Sequence, residues 1–310
     1  MKIEPMAFGG WPNCLRIAND HAELVVTLDV GPRVISYQHL PGGKNVLKTN
    51  AEELGRSGED IWVQRGGHRL WLAPEDERSY FPDNFPVNHE ILPNGVRLEN
   101  AAVAPWHIQK TLTVTLAEDS SQVTLDHRAT NQGSAPVRLA TWGATVMDAG
   151  GLEIIPRPPM GQHPRDLLPN CLQVLWPYTD TADERWRWGR QFITLRQTPH
   201  SSPTKLGLQH QMKWIGYLNR SILFVKLVEF EPGAIYPDFG SNFETFSNAQ
   251  MLEIETLSPL RTLAPGESAG HTESWRVFGS IPEPQSLKED ALAEWIEPVL
   301  AKLGLLSKGV

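Results

Sequence analysis

Hydrophobic and polar residues alternate with a period of two along most of this chain. The pattern is clearest in ELVVTLDV (23–30), RVISYQHL (33–40), IQKTLTVTL (108–116), QVTLDHRATN (122–131), PVRLATWGATVM (136–147), SILFVKLVEF (221–230) and MLEIETLSPL (251–260). Side chains on an extended backbone point alternately to its two faces, so each run predicts a strand. Val, Ile and Thr are frequent in these runs, and their branched Cβ suits a pleated sheet. Between the runs lie the turn signals LPGGKN (40–45), NQGSAP (131–136), DAGG (148–151), EPGA (231–234) and APGES (264–268). Strands following one another without intervening helices predict an all-β chain, a large antiparallel sandwich rather than βαβ units.

The period changes once. In SLKEDALAEWIEPVLAKLGLL (286–306), Leu292, Trp295, Ile296, Val299, Leu300 and Leu303 fall on one helical stripe. Ser286 and Glu289 have capping-box spacing, and Pro298 is expected to kink the helix or divide it. A helix over about residues 286–304 is therefore predicted, packed on the sheets as a plug. No linker-like shift in composition and no internal repeat interrupts the pattern, so residues 1–310 read as a single domain. Two stretches, 41–95 and 157–190, are loop-rich, and long ordered loops on a β scaffold are where ligands are usually met.

Composition narrows the classes. Hydrophobic residues make up 40% of the 310, enough for a packed core. The net charge of −8 and the lack of any basic run remove the electrostatic footprint of a nucleic-acid binder. No stretch approaches a membrane-spanning length and the N-terminus has no signal-like apolar core, so a cytoplasmic protein with no membrane partner is expected. Cys14 and Cys171 offer no metal-ligand spacing, and neither do the histidines at 68, 89, 107 and 127; no metal and no cofactor is expected. Tryptophan stands out, at 11 against 5 tyrosines. Most must be core, but indoles also supply the flat apolar faces on which sugar rings lie.

Three segments carry candidate chemistry. In RGGHRLWLAPE (65–75), a strand would put His68 and Leu70 on one face and Arg69 with Trp71 on the other. Arg69 can offer a fork of donors to vicinal hydroxyls, or to a carboxylate such as Glu75, which would then orient it. His68 is either a satisfied structural residue or a ligand contact. In MLEIETLSPL, Glu253 and Glu255 share one face, which is either solvated or turned to a donor-rich ligand. In YPDFGSNFETF (236–246), Asp238, Asn242 and Glu244 cluster among aromatics, and Asn242 has the parity of Glu244. Sugar hydroxyls donate and accept at once, and these are the side chains that grip them. A turn after Pro237 would account for Asp238 but not for Glu244.

In order along the chain, GPRVISY (31–37), RGGHRLWLAPE, TNQGSAPVRLATW (130–142) and EIETLSPLRTLAPGESAGHTESWRVF (253–278) resemble the galactose mutarotase-like superfamily, the aldose 1-epimerase fold. More narrowly they resemble a bacterial branch of the domain-of-unknown-function type with GGHRLW-APE and E-ETLSPL motifs. The resemblance implies a large antiparallel supersandwich with a sugar cleft on one curved sheet. There a glutamate takes the anomeric hydroxyl proton and a histidine protonates the ring oxygen. Glu255 matches the glutamate's place before the proline and the L-x-P-G-E turn, and Arg69 matches a cleft arginine. At the histidine's place stands Trp142, whose indole does not titrate usefully. His68 and His107 are the candidates to replace that acid.

The expected site therefore has Glu255 and His68 as catalytic groups. Arg69, Trp71, Glu75, His107, Trp142, Asp238, Asn242 and Glu244 are the expected sugar contacts. The expected partner is a small-molecule carbohydrate, met by a monomer or homodimer. Three functions stay open: a 1-epimerase with a relocated acid, a non-catalytic carbohydrate binder or sensor, and a lyase or hydrolase-type module on modified sugars.

Overall fold

A computed structural model describes residues 1–199 and 202–305. Two antiparallel sheets face each other. With strands numbered in chain order, the first has eleven. They run β1 (Lys2–Phe8), β2 (Trp11–Ala18), β3 (Ala22–Thr27), β4 (Arg33–His39), β5 (His68–Ala73), β10 (Val137–Met147), β19 (Leu252–Leu257), β18 (Phe243–Ser247), β15 (Thr204–Leu208) and β12 (Gln173–Leu175), with β20 (Arg261–Leu263) also on β10. The second has ten. They run β13 (Trp186–Trp188), β14 (Phe192–Arg196), β11 (Leu152–Pro156), β16 (Trp214–Asn219), β17 (Ile222–Val228), β21 (Ser268–Phe278), β9 (Val123–Asn131), β8 (Ile108–Leu116), β7 (Gly95–Glu99) and β6 (Asn88–Leu92).

Every run of alternating residues is a strand, and the fold is the antiparallel sandwich that the alternation demands. The longer strands give alternate side chains to the core between the sheets. Leu24, Val34, Tyr37, Phe243 and Ile254 come from the first sheet; Leu112, Leu125, Phe224 and Trp275 come from the second. Burying such a side chain stabilises by about 1.5–3 kcal/mol, so this layer is the main source of cohesion.

The helix α1 spans Glu289–Lys302 and lies on the outer side of the second sheet. Leu292, Ile296 and Val299 bury against Ile154, Phe192, Trp214 and Leu223, with Trp295, Leu300 and Leu303 half-buried beside them, as the stripe predicts. Two details differ from expectation. The capping box does not form: Lys288 is the N-cap without a side-chain cap, and Glu289 instead accepts hydrogen bonds from Gln191 N (2.7 Å) and Arg190 Nε (3.1 Å). With the helix starting at Glu289, that residue is its first position rather than the third that a capping box needs, and Ser286 Oγ accepts from Lys288 N (3.1 Å) instead. Pro298 neither ends nor divides the helix, because it and Glu294, whose carbonyl it frees, both face water.

Candidate functional site

The site is built by strand register on the face of the first sheet turned away from the second. Five antiparallel neighbours set residues side by side: Arg33 opposite Arg69, Arg69 opposite Ala144, Ala144 opposite Glu255, Glu255 opposite Glu244, and Glu244 opposite Gly207. Directly paired residues share a face, so this row is a band of charge across β4, β5, β10, β19, β18 and β15. Two residues along each strand, Trp71, Trp142 and Leu257 share that face with Ala73 and Ala140, forming an apolar floor under Trp62.

Gly66 and Gly67 make the local geometry of β5 attainable. Both have left-handed φ values (82° and 72°), and a Cβ would lie 2.1 Å from Lys48 O and 2.3 Å from Val34 O. The pair lets the chain pass tightly between β4 and the 46–50 segment, and fixes which face Arg69 takes.

The band is buried. Arg69 donates to Glu253 Oε1 (3.0 Å) and Gln64 Oε1 (3.3 Å), and its guanidinium lies 4.2 Å from the Trp71 ring centre. Lys205 is 4% exposed. Its Nζ lies 2.7 Å from Glu244 Oε2 and 3.1 Å from Glu255 Oε2, between the rings of Trp142 (4.6 Å) and Trp176 (4.7 Å). Gly207 is what lets Trp176 lie there, since a Cβ would already be 3.1 Å from its Cζ3 and 2.4 Å from Ser241 Oγ. Burial pushes the Glu244 and Glu255 carboxyls up against the pull of Lys205; each carboxylate raises the other or is raised by further acids, Asp238 for Glu244 and Glu253 for Glu255. Burial alone would lower the Lys205 ammonium, but Glu255 and Glu244 more than reverse it.

Seven of the buried polar atoms lacking a hydrogen-bond partner lie in this patch: the indole nitrogens of Trp62, Trp71 and Trp142, Arg69 Nε, both Glu244 oxygens and Glu255 Oε2. Glu244 Oε2 and Glu255 Oε2 among them are still paired in charge with the Lys205 ammonium. Buried polar atoms are nearly always satisfied, so such a concentration marks a place made for something else.

Of the expected residues, Arg69, Trp71, Trp142, Glu244 and Glu255 come together. Asn242 has their parity, but its amide is spent on the backbone of His210, accepting from its N–H (2.5 Å) and donating to its O (2.9 Å). Asp238 sits on the adjoining loop, half-buried, close enough to raise Glu244. Glu75 does not orient Arg69; it is exposed and accepts from the Tyr80 hydroxyl, while Glu253 takes the arginine. Tyr80 in turn packs on Trp71 (5.3 Å) and Trp62 (5.7 Å). His107 is exposed before β8 of the second sheet, and no described contact joins it to the band.

His68 is on the wrong face for catalysis there. Alternation sends it between the sheets, into a closed network. The His271 carbonyl accepts from His127 Nδ1 (3.2 Å), which leaves His127 Nε2 to accept from His68 Nε2 (2.7 Å). His68 Nδ1 then accepts from Thr145 Oγ1 (2.8 Å), which accepts from Lys226 Nζ (2.7 Å). On the other side His271 Nε2 donates to Thr256 Oγ1 (3.0 Å), which donates to Glu273. These tautomers, assigned from the network, keep all three imidazoles neutral, and burial holds their pKa values below the usual range. His68, His127 and Glu273 have ligand atoms within 4.8 Å of one another, but a cation there would meet the Lys226 ammonium, 3.1 Å from Glu273 Oε2.

Sequence reasoning missed Lys205, Gln64 and Trp176. A lone lysine in the apolar strand TKLGL was the available signal for the first, and Trp176 opened a loop already marked as ligand-facing. A groove of about 740 Å³ between α1 and Pro156–Met160 lies on the opposite sheet and holds none of these groups.

No model of a known protein family and no curated protein matches this chain. Solved structures do. A galactose mutarotase-like protein from Lactobacillus casei superposes with a TM-score of 0.57 at 9% identity, over 86% of this chain and 100% of its own. The fold is galactose mutarotase-like. A galactose mutarotase-like protein from Clostridium acetobutylicum gives 0.53 at 12% identity, over 90% and 99%. A galactose mutarotase related enzyme from Lactobacillus acidophilus gives 0.51 at 9%, over 86% and 98%. Among the described residues no helix is long and apolar enough to cross a membrane.

Proposed function

We propose that this chain binds a carbohydrate on the outer face of the first sheet and acts on it as an aldose 1-epimerase-like isomerase, with Glu255 as general base. The observation that carries the reading is the set of unsatisfied buried atoms there, indole and guanidinium donors on one side and carboxylate acceptors on the other, over an apolar aromatic floor. A ring of vicinal hydroxyls both donates and accepts, and its C–H faces suit indoles. Similarity in fold to proteins named for galactose mutarotase supports the same substrate class. The narrower bacterial branch, a cytoplasmic setting and a monomeric or homodimeric state belong to this proposal as well.

A second reading, a non-catalytic carbohydrate binder, is favoured by one observation: Trp142, not a histidine, stands on the same face of β10, two residues from Ala144, the cross-strand partner of Glu255. The test has two steps. Melting is measured with neutral, phosphorylated and acidic monosaccharides, because a ligand held by the folded state raises Tm by mass action. Sugars that shift it are then followed by NMR anomer exchange with wild type and Glu255→Gln. Exchange by wild type that collapses in Glu255→Gln with binding kept supports the enzyme; binding without exchange selects the second reading. No shift with any sugar sinks both.

A further inference from the structure

We propose that Glu244 is the proton donor of this site: its carboxyl protonates the ring oxygen while Glu255 takes the proton of the anomeric hydroxyl, with Lys205 fixed between the two. The inference rests on the epimerase reading above. That reading lacks an acid, since Trp142 cannot serve, His68 faces the interior and His107 is remote. Glu244 and Glu255 are direct cross-strand partners, so their carboxyls share the ligand face. Both touch one ammonium, and neither Glu244 oxygen has a hydrogen-bond partner. Lys205 holds Glu244 Oε2 at 2.7 Å, which leaves Oε1 to carry the O–H toward a ligand.

The surroundings divide the roles. Glu244 is faced by Lys205 from β15, Glu255 from β19 and Asp238 from the preceding loop; desolvation comes first in holding its proton, and the two acids add to it. Glu255 is faced by Lys205, by Glu253 on its own strand and by Arg69 from β5; Glu253 is itself paired with Arg69, whose charge favours the Glu255 anion. Tyr178, from the loop over Lys205, senses the same groups together with Glu75. Lys205 is the poorer donor, because two carboxylates and two indole faces hold it charged.

The step balances. Glu255 accepts the O1 proton, the O1 electrons form the carbonyl, the C1–O5 bond breaks, and O5 takes the Glu244 proton. After rotation about C1–C2 the O5 hydroxyl attacks the other carbonyl face, returning its proton to Glu244 as Glu255 gives its own back to O1.

Anomer exchange is measured by NMR on D-glucose, D-galactose, glucose 6-phosphate and D-glucuronate from acid to alkaline pH. Variants are Glu244→Gln, Glu244→Asp and Glu255→Gln, with melting as the check of folding. We expect both glutamine variants to lose ~10²–10⁴-fold in kcat while sugars still raise their Tm. Glu244→Gln should lose the alkaline limb of the pH profile and Glu255→Gln the acid limb; Glu244→Asp should regain part of the rate and the alkaline limb. A structural role for Glu244 would lower the rate with both limbs kept. If that is seen, or if Glu244→Gln keeps the wild-type rate while Glu255→Gln collapses, the acid assignment is overturned and the epimerase reading survives. No exchange by wild type on any of the four overturns both.

Discussion

Lys205 shows how much one side chain can decide. Its ammonium is the shared counter-ion of two buried carboxylates and the filling of an indole sandwich. Removing one member of a buried ion cluster leaves charge without compensation, which costs about 3–5 kcal/mol. Lys205→Met should therefore destabilise by roughly that amount near neutral pH. The deficit should shrink as pH falls, because protonated Glu244 and Glu255 no longer need a cation. Urea unfolding at pH 8 and pH 5 checks this, and a deficit independent of pH would mean that packing rather than charge is the cause.

The elements divide the work. The first sheet carries the candidate site on its outer face, and the second sheet carries α1 on its own outer face. Ile296, fully buried against the second sheet, is the helix's central anchor. Truncating such a side chain typically costs 2–5 kcal/mol through lost burial and the cavity left behind. We expect Ile296→Ala to lower the unfolding free energy within that range and to leave the sugar-induced rise in Tm intact. A lost ligand response at unchanged fold would show that the helix supports the site, contrary to its placement.

At the scale of the molecule, the two buried polar layers set a pH profile. His68, His127 and His271 are held neutral below the usual 6.5, chiefly by desolvation, so the unfolded chain takes up protons that the native state does not as pH drops through 6.5. That trend removes stability on the acid side. Glu153, desolvated and pushed up to about 8, acts in reverse with Glu244 and Glu255. Native protons are retained where the unfolded carboxyls have lost theirs, so stability declines as pH rises from about 4.5 towards 8. Between 4.5 and 6.5 the trends oppose, and a broad stability maximum should lie there. Glu153→Gln should flatten the alkaline decline by up to about 1.4 kcal/mol per pH unit. Denaturant unfolding from pH 4 to 9 tests it, and a stability that rises steadily to pH 9 would refute it.

What the sequence determined by itself is local and periodic. Alternation named seven strands, the antiparallel class and the opposite faces of His68 and Arg69; the 3.6-residue stripe named the buried side of α1. Each follows from the geometry of a single segment, which sequence states directly. The same alternation that placed Arg69 on the outer face of the first sheet removed His68 from it, so the expected convergence of both was inconsistent with their spacing. Tertiary structure alone decided the pairings. Glu253 rather than Glu75 took Arg69, Asn242 was spent on His210, Glu289 abandoned its capping box for the 190–191 turn, and Lys205 came from a strand far along the chain to join Glu244 and Glu255. Hydrogen bonds and ion pairs between distant segments depend on which strands become neighbours and in what register, and no local period carries that information.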